Sequence, residues 1–271
     1  MRINNNVAAF NAYRNLSTTQ GQLGKSLEKL SSGFRINRAA DDAAGLAKSE
    51  GLRAEIKGTQ QAVKNAQDGI SLVQTAEGAL NEVHSILQRM RELAVSAANT
   101  ATTEGAEQQA EVNELLAELD AIGTRTQFAG QSVFSDEARV FQVGANTGDT
   151  LSVSIGELSA EELDLTGLDI TNLGDPEADP VVASAIDDLD AAIETISDTR
   201  SNLGASQNRL EHTISNLQVA AENLQASESR IRDADMAEEM VGFTRNQILQ
   251  QAGTAMLAQA NQVPQSVLSL L

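Results

Sequence analysis

Apolar residues recur at alternating steps of three and four through most of this 271-residue chain. The longest such pattern extends from Ile186 to Ile231, and eleven of its fourteen stops are apolar. A register kept over more than six heptads is typical of a coiled-coil seam. It predicts a helix about 70 Å long, at a rise of about 1.5 Å per residue. Because one helix cannot bury its seam alone, other parts of the chain must pack against it.

Four other segments show the same spacing and predict four further helices. They cover residues 3–34, about 43–99, about 106–127 and 236–271. The first helix is expected to end at Ser31-Ser32-Gly33, because glycine commonly follows the last helical turn. Asp41 or Asp42 is a suitable N-cap for the second helix, since a carboxylate accepts hydrogen bonds from the free amides of the first turn.

The two terminal helices are predicted to pair with one another. The seam between them is expected to consist of apolar residues seven apart, which are Leu16, Leu23 and Leu30 against Leu249, Met256 and Val263. Both ends also carry apolar residues on more than one face, since residues 7–10 are consecutively apolar, with Val7 and Phe10 the largest, and Val267, Leu268, Leu270 and Leu271 crowd the last turn. A single partner helix covers one stripe, so the surplus apolar surface indicates additional neighbours.

Between the helical segments the apolar period changes from about 3.6 to two. Two such runs flank Asn146-Thr-Gly-Asp and predict one small β-hairpin near residues 140–155. Residues 157–180 are acidic, contain Pro176 and Pro180 and show no period, so we expect a surface loop there. The predicted fold class is mainly α: a long coiled-coil-like helical bundle built from both chain ends, with one small β-hairpin.

Composition and charge exclude several classes of function. The formal net charge is −19, and residues 136–200 hold sixteen acids against two arginines. Such a surface repels nucleic acid and anionic membranes, so neither is an expected partner. The chain has no cysteine, which excludes disulfides and thiol catalysis. It has no 18-residue apolar run and no apparent signal peptide, so neither membrane insertion nor cleavage of a leader is expected.

Candidate catalytic groups are few. His84 and His212 are the only histidines, and neither has further ligands at metal-binding spacing. The paired carboxylates Asp41-Asp42 and Asp233-Ala-Asp235 are better explained as helix caps and partners of nearby arginines. Nucleotide, zinc-protease and hydrolase motifs are absent from the sequence. We therefore predict no enzyme and no cofactor.

Long motifs stand at both ends of the chain. They are Ile3-Asn-Asn-Asn, Leu30-Ser-Ser-Gly-Phe-Arg-Ile-Asn, Asp41-Asp-Ala-Ala-Gly-Leu-Ala, Ser229-Arg-Ile-Arg-Asp-Ala-Asp-Met-Ala-Glu-Glu-Met and the run from Gln250 to Leu271. These motifs resemble those of bacterial flagellins, and the resemblance covers nearly the whole chain. Phe34 and Met236 stand where that family commonly has Leu and Tyr.

The resemblance implies a minimal flagellin, without large outer domains, that self-assembles into the flagellar filament for swimming motility. Residues 1–40 and 236–271 would line the filament core, and residues 41–235 would form the surrounding tube. Export without a cleaved signal peptide, a flagellar export chaperone and hook-associated or cap proteins are also implied. The expected polymerisation residues are Val7, Phe10, Leu16, Leu23, Leu27, Leu30, Leu249, Met256, Val263, Val267, Leu270 and Leu271.

The segment beginning at Leu87 is similar to the flagellin segment that is recognised by a host Toll-like receptor of innate immunity. By that likeness Arg89, Leu93 and Glu111 would face the receptor. Met90 stands where a smaller aliphatic residue would be expected.

Two other interpretations of the sequence remain open. A flagellar hook–filament junction protein would share both ends but form only a short layer. A secreted helical ligand or adhesin would act as a monomer and would never polymerise.

Overall fold

A computed structural model describes residues 6–98, 105–171 and 185–268, except for the side chains of residues 263–268. Five helices and four short strands make up this described part of the chain. In chain order they are α1 (Val7–Ser32), α2 (Ala43–Ala97), α3 (Ala106–Arg125), β1 (Gln127–Phe128), β2 (Gln131–Ser132), β3 (Arg139–Gln142), β4 (Thr150–Val153), α4 (Ala185–Arg232) and α5 (Met236–Leu268). The predicted fold class is confirmed, because long helices dominate and the two terminal helices pack against one another.

The chain divides into two compact units. Unit 1 comprises residues 1–56 and 222–271, and unit 2 comprises residues 57–221. The long helices α2 and α4 each contribute to both units. The expected boundaries at 40/41 and 235/236 refer to parts of an assembled filament and stay a prediction.

Unit 2 contains one continuous hydrophobic core built from α2, α3, α4 and the strands. The predicted heptad line of α4 is confirmed in this unit, since Leu189, Ile196, Leu203 and Leu210 are all buried. On α2 the predicted 3/4 stripe is buried as well, at Val73, Leu80, Val83, Leu87 and Met90 among others. These stripes face a common interior because residues three and four apart share one side of a helix.

The predicted hairpin is confirmed at β3 and β4, which pair antiparallel with Phe141 opposite Leu151. Gly148 adopts a positive φ of 99° in the connecting turn, where a side chain would be strained. A second antiparallel pair, β1 with β2, is only two residues long on each side and was not predicted. Its turn is formed by Ala129 and Gly130, both at positive φ.

Residues 157–171, after the hairpin, form neither helix nor strand, as predicted, but the expectation that this segment lies on the surface was wrong. Five apolar side chains there are buried in the unit 2 core, namely Leu158, Leu163, Leu165, Leu168 and Ile170. Two polar residues of α3 hold the backbone of this segment. Gln109 donates to the Leu168 carbonyl at 2.9 Å and accepts from the Ile170 amide at 2.7 Å, and Asp120 accepts from the Ala160 amide at 2.8 Å. The remainder of the expected loop, at 172–180, lies outside the described residues.

Helix ends follow the chemistry expected of them. Gly33 closes α1 in the left-handed region, at φ 76°. Asp42 accepts from the Gly45 amide at 2.9 Å at the start of α2, and Asp235 accepts from the Ala237 amide at 2.8 Å at the start of α5. Asp41 instead accepts from the amides of Asn37 and Arg38, and this lowers its pKa below the ordinary value. The predicted capping role is therefore confirmed for Asp42 and Asp235, whereas Asp233 accepts from the Ser229 hydroxyl at 2.6 Å. The arginines expected to pair with these carboxylates have other partners, since Arg38 pairs with Glu28 and Arg232 with Glu50.

Candidate assembly surface

The two terminal helices lie antiparallel in unit 1. Near one end of the pair, Asn6 Nδ2 donates to the Ala260 carbonyl at 2.7 Å. Near the other end, Lys29 Nζ lies 3.7 Å from a carboxylate oxygen of Glu239. Between them, Gly253 lies so close to Leu16 that an added Cβ would be 3.2 Å from Leu16 Cδ1. The seam therefore runs along nearly the whole described length of both helices.

The residues that α5 brings to this seam differ from those expected. The half-buried positions of α5 are Glu239, Gly242, Phe243, Asn246, Gln250, Gly253, Leu257 and Ala260. Leu249 and Met256 are instead 48% and 60% exposed, so their predicted place in the seam was wrong. The seam is displaced by one residue from the expected heptad line, to Gln250 and Leu257, and Gly253 lies against Leu16 within it. Val263 lies outside the described side chains.

The α1 side of the seam agrees with the sequence pattern. Leu16, Leu23 and Leu30 are half-buried on one stripe that also contains Ser26. Leu27 is exposed beside this stripe. Unit 1 as a whole buries little, since Ile36 and Ile56 are its only buried large apolar residues among those described. The pairing of α1 with α5 thus leaves much apolar surface in contact with solvent.

Both terminal helices expose large apolar side chains outside the seam. On α1, Val7 and Phe10 are 68% and 72% exposed, and Tyr13 follows one turn later. On α5, an open groove is lined by Met240, Val241, Thr244, Arg245, Ile248 and Leu249. We call the exposed apolar residues of α1 and α5 together the assembly surface. Val267, Leu270 and Leu271, predicted for the same role, lie outside the described side chains.

Sequence reasoning missed the part of this surface at Val241 and Ile248. These two residues are seven apart, and both are exposed. Their spacing is visible in the sequence, but it belongs to a second stripe that runs beside the one chosen for the seam. A helix that is apolar on two sides needs two sets of partners.

The connections between α1 and α2 and between α4 and α5 are joined beside the assembly surface. Arg35 N donates to the Arg232 carbonyl at 2.7 Å, and Ala234 N donates to the Gly33 carbonyl at 2.9 Å. The Arg232 guanidinium lies 4.9 Å from the centre of the Phe34 ring and 2.7 Å from Glu50. This stacked ion pair lies where α1 ends and α5 begins, and it helps to hold the two connections together.

The predicted receptor-facing residues are only partly on the surface. Arg89 of α2 donates to Glu111 of α3 at 2.9 Å, and this hydrogen bond raises the Arg89 pKa above its ordinary value. Both side chains are well exposed. Leu93 is only 6% exposed and belongs to the unit 2 core, so the expectation that its side chain faces a partner was wrong. The receptor itself stays a prediction.

Within the described ranges, no three metal-ligating side chains come together. Among those same residues, no helix is both long enough and apolar enough to cross a membrane.

A helical bundle whose two chain ends pair through a thin seam, with apolar faces left open, defines a class of subunit that is completed by neighbours. The chain matches the model of the bacterial flagellin N-terminal helical region over residues 3–139 and that of the C-terminal helical region over residues 186–271. It belongs to the bacterial flagellin family.

Individual relatives agree with this assignment. The chain is 54% identical to the flagellin of Halalkalibacterium halodurans and 48% identical to that of Bacillus subtilis, and each alignment covers all of both chains. A solved structure assigned as a flagellar hook-associated protein of Vibrio parahaemolyticus covers 71% of this chain and 100% of its own, at 16% identity and a TM-score of 0.56. At that identity the last likeness shows a shared fold alone.

Proposed function

We propose that this chain is the structural subunit of a bacterial flagellar filament and that it polymerises through the assembly surface. The observation that carries the proposal is the exposure of large apolar side chains on both terminal helices, on sides that their mutual seam does not use. Fully burying one such side chain contributes about 1.5–3 kcal/mol. Contacts with neighbouring subunits would supply that burial.

Open-ended growth follows from the kind of contact required. The apolar stripe of α5 differs in sequence from that of α1, so surfaces on neighbouring subunits need not be the same patch. Heterologous contacts of this kind generate open filaments unless a rotation closes them into a ring. In this arrangement residues 1–40 and 236–271 form the filament core, and residues 41–235 form the tube around it.

The matched variants Val241→Ser and Val219→Ser test the proposal. Both valines are exposed, at 63% and 58%, but only Val241 belongs to the assembly surface. Purified subunits are added to sheared filament seeds, and growth is followed by light scattering and negative-stain images. We expect Val241→Ser to raise the critical concentration about tenfold or more, because a valine that becomes buried between subunits in the filament is replaced by a polar residue. Val219→Ser should elongate seeds like the unmodified chain.

Two results would overturn the proposal. One is a purified chain that stays monomeric with seeds at every salt concentration, as the secreted-ligand alternative requires. The other is growth that stops at a layer of fixed size, as the junction-protein alternative requires. Equal effects of the two valine variants would show that the contact surface does not include this face of α5.

Delivery and capping partners are proposed on the basis of the family. An export chaperone would cover the apolar C-terminal helix before secretion, and hook-associated and cap proteins would contact the ends of the filament outside the cell. The exposed groove of α5 supports a chaperone, since an uncovered apolar face would otherwise promote aggregation. Size-exclusion chromatography with the chaperone should give a complex that Val241→Ser weakens.

Recognition by a Toll-like receptor would use the Arg89–Glu111 ion pair on unit 2. Arg125 and Glu118 form a second exposed ion pair in this unit and provide a control. We expect Arg89→Ala to weaken binding of the receptor ectodomain to the monomer and Arg125→Ala to leave it unchanged. An equal loss in both variants would exclude a specific role for Arg89.

A further inference from the structure

Methionine side chains are the only oxidisable sulfur in this protein, which has five methionines and no cysteine. Met90 lies in the core of unit 2 at 0% exposure, whereas Met236, Met240 and Met256 on α5 are 47%, 50% and 60% exposed. A thioether reacts with a peroxide only where the oxidant can reach the sulfur. The three exposed sulfurs are therefore open to attack in a free subunit, and the sulfur of Met90 is shielded.

Met240 and Met256 both lie on the assembly surface. Met240 lines the α5 groove together with Val241 and Ile248. Met256 follows Leu249 by seven residues, so the two share one side of the helix. Neither methionine contributes to the half-buried stripe that faces α1. Oxidation at these positions would therefore change the outer face of α5 and leave the pairing of α1 with α5 intact.

We propose that Met240 and Met256 form an oxidation site that disables the free subunit for polymerisation and is shielded once the subunit is in a filament. The inference rests on the proposed function, because it needs the assembly surface to become buried. The oxidant is hydrogen peroxide or an organic hydroperoxide. The sulfur lone pair attacks one peroxide oxygen and forms the S–O bond while the O–O bond breaks. Sulfur loses two electrons. The other peroxide oxygen takes up the proton of the attacked oxygen and leaves as water or an alcohol.

The product sulfoxide is polar and a strong hydrogen-bond acceptor, which makes its burial unfavourable. Losing the burial of one apolar side chain corresponds to about a tenfold or larger fall in an association constant. Oxidation at both positions should therefore raise the critical concentration for filament growth at least about tenfold. Methionine sulfoxide reductases, one for each epimer, would reverse the change.

The first experiment measures which sulfurs react. Free subunits and assembled filaments are treated with the same dilute hydrogen peroxide, quenched and mapped by peptide mass spectrometry. We expect Met240 and Met256 to oxidise at least about tenfold faster than Met90 in the free subunit, and to be protected in the filament. Equal rates for Met240 and Met256 in subunit and filament would overturn the proposal.

The second experiment measures the consequence for growth on seeds. Every subunit in this experiment carries Met236→Leu, which removes the third exposed methionine. Each is tested before and after peroxide, and the ratio of the two critical concentrations is compared. The chain with no further change and the chain with Met90→Leu should show a ratio of about ten or more, and the chain with Met240→Leu/Met256→Leu a ratio near one. Treatment with both reductases should restore growth of the oxidised full chain. Circular dichroism melts before and after peroxide confirm that the fold survives.

The two proposals fail in different ways. If the untreated chain does not grow on seeds, the proposed function is wrong. If the untreated chain grows, and the peroxide-treated chain grows equally well, only the oxidation site is wrong. A ratio that stays high in Met240→Leu/Met256→Leu would likewise overturn the assignment to these two residues.

Discussion

A single added methyl group should have opposite effects at two glycines of unit 2. Gly123 lies in α3, where an added Cβ would fall inside the van der Waals distance of the Leu158 carbonyl oxygen and 3.2 Å from its carbonyl carbon. Gly78 lies in α2 and has no heavy atom within 4 Å of the same added atom. Both glycines are helical, so the gain in helix propensity on changing to Ala is similar at both, about 1 kcal/mol.

The expected magnitudes follow from these surroundings. At Gly123 the atoms in the way belong to the backbone of the 157–171 segment, which must move as a whole. That movement weakens the hydrogen bond from the Ala160 amide to Asp120, at about 1 kcal/mol, which offsets the gain in propensity. The overpacking cost remains, so Gly123→Ala should lose about 1–3 kcal/mol. Gly78→Ala should gain about 0.5–1 kcal/mol.

Denaturant unfolding followed by far-UV circular dichroism measures both variants beside the unmodified chain. Because both changes lie in unit 2, the comparison does not depend on how unit 1 unfolds. A Gly123→Ala variant as stable as the Gly78→Ala variant would show that α3 does not hold the 157–171 segment at this distance. The buried position of Leu158 would then be wrong as well.

Three further outcomes are expected. Added salt should lower the critical concentration for polymerisation, because it screens the sixteen acids of residues 136–200 on neighbouring subunits; a rise with salt would contradict an outward-facing acidic stretch. Hydrogen bonds from Thr171 to Asp169 and from Arg91 to Asp190 hold both carboxyl pKa values below the ordinary range of an aspartate. The stability from these bonds is present at neutral pH and is lost as the pH falls through the lowered values. Thermal melts at a series of acidic pH values should show a weaker pH dependence in Asp169→Asn than in the unmodified chain. Hydrogen exchange on the free subunit should be faster in α1 and α5 than at Leu203 and Leu210, since unit 1 buries so little; equal protection would refute this.

The sequence predicted best those elements in which large aliphatic residues occupy one stripe only. In α4 the heptad line through Leu189, Ile196, Leu203 and Leu210 is flanked by polar residues, so a single register fits the pattern. The burial of all four followed directly. The same holds for the hairpin, where alternation in the strands and Gly148 in the turn predict one local structure.

The segment at 157–171 shows why the burial of an irregular segment is not predicted by hydrophobic spacing. Its buried leucines have no constant spacing, because the backbone changes direction between them, and so no period marks them as core. The hydrogen bonds that hold it come from Gln109 and Asp120, about 40 to 60 residues away in the chain. Hydrogen bonds between a side chain and a distant part of the backbone cannot be predicted from the local sequence. The acidic composition and the two prolines favoured a loop instead.

The same ambiguity that misplaced the α5 seam is what makes α5 suited to a polymer. Apolar residues occupy positions 241, 248 and 249 as well as the seam positions around Leu257, so two registers fit almost equally well. The structure uses the register that contains Gly253, where an added Cβ would lie 3.2 Å from Leu16 Cδ1. The other register remains exposed, with Leu249 and Met256 at its centre. A helix with one apolar stripe would be satisfied by α1 alone and would have no reason to bind a second subunit. With two stripes, the free subunit can be folded and still lack the burial that only neighbours supply.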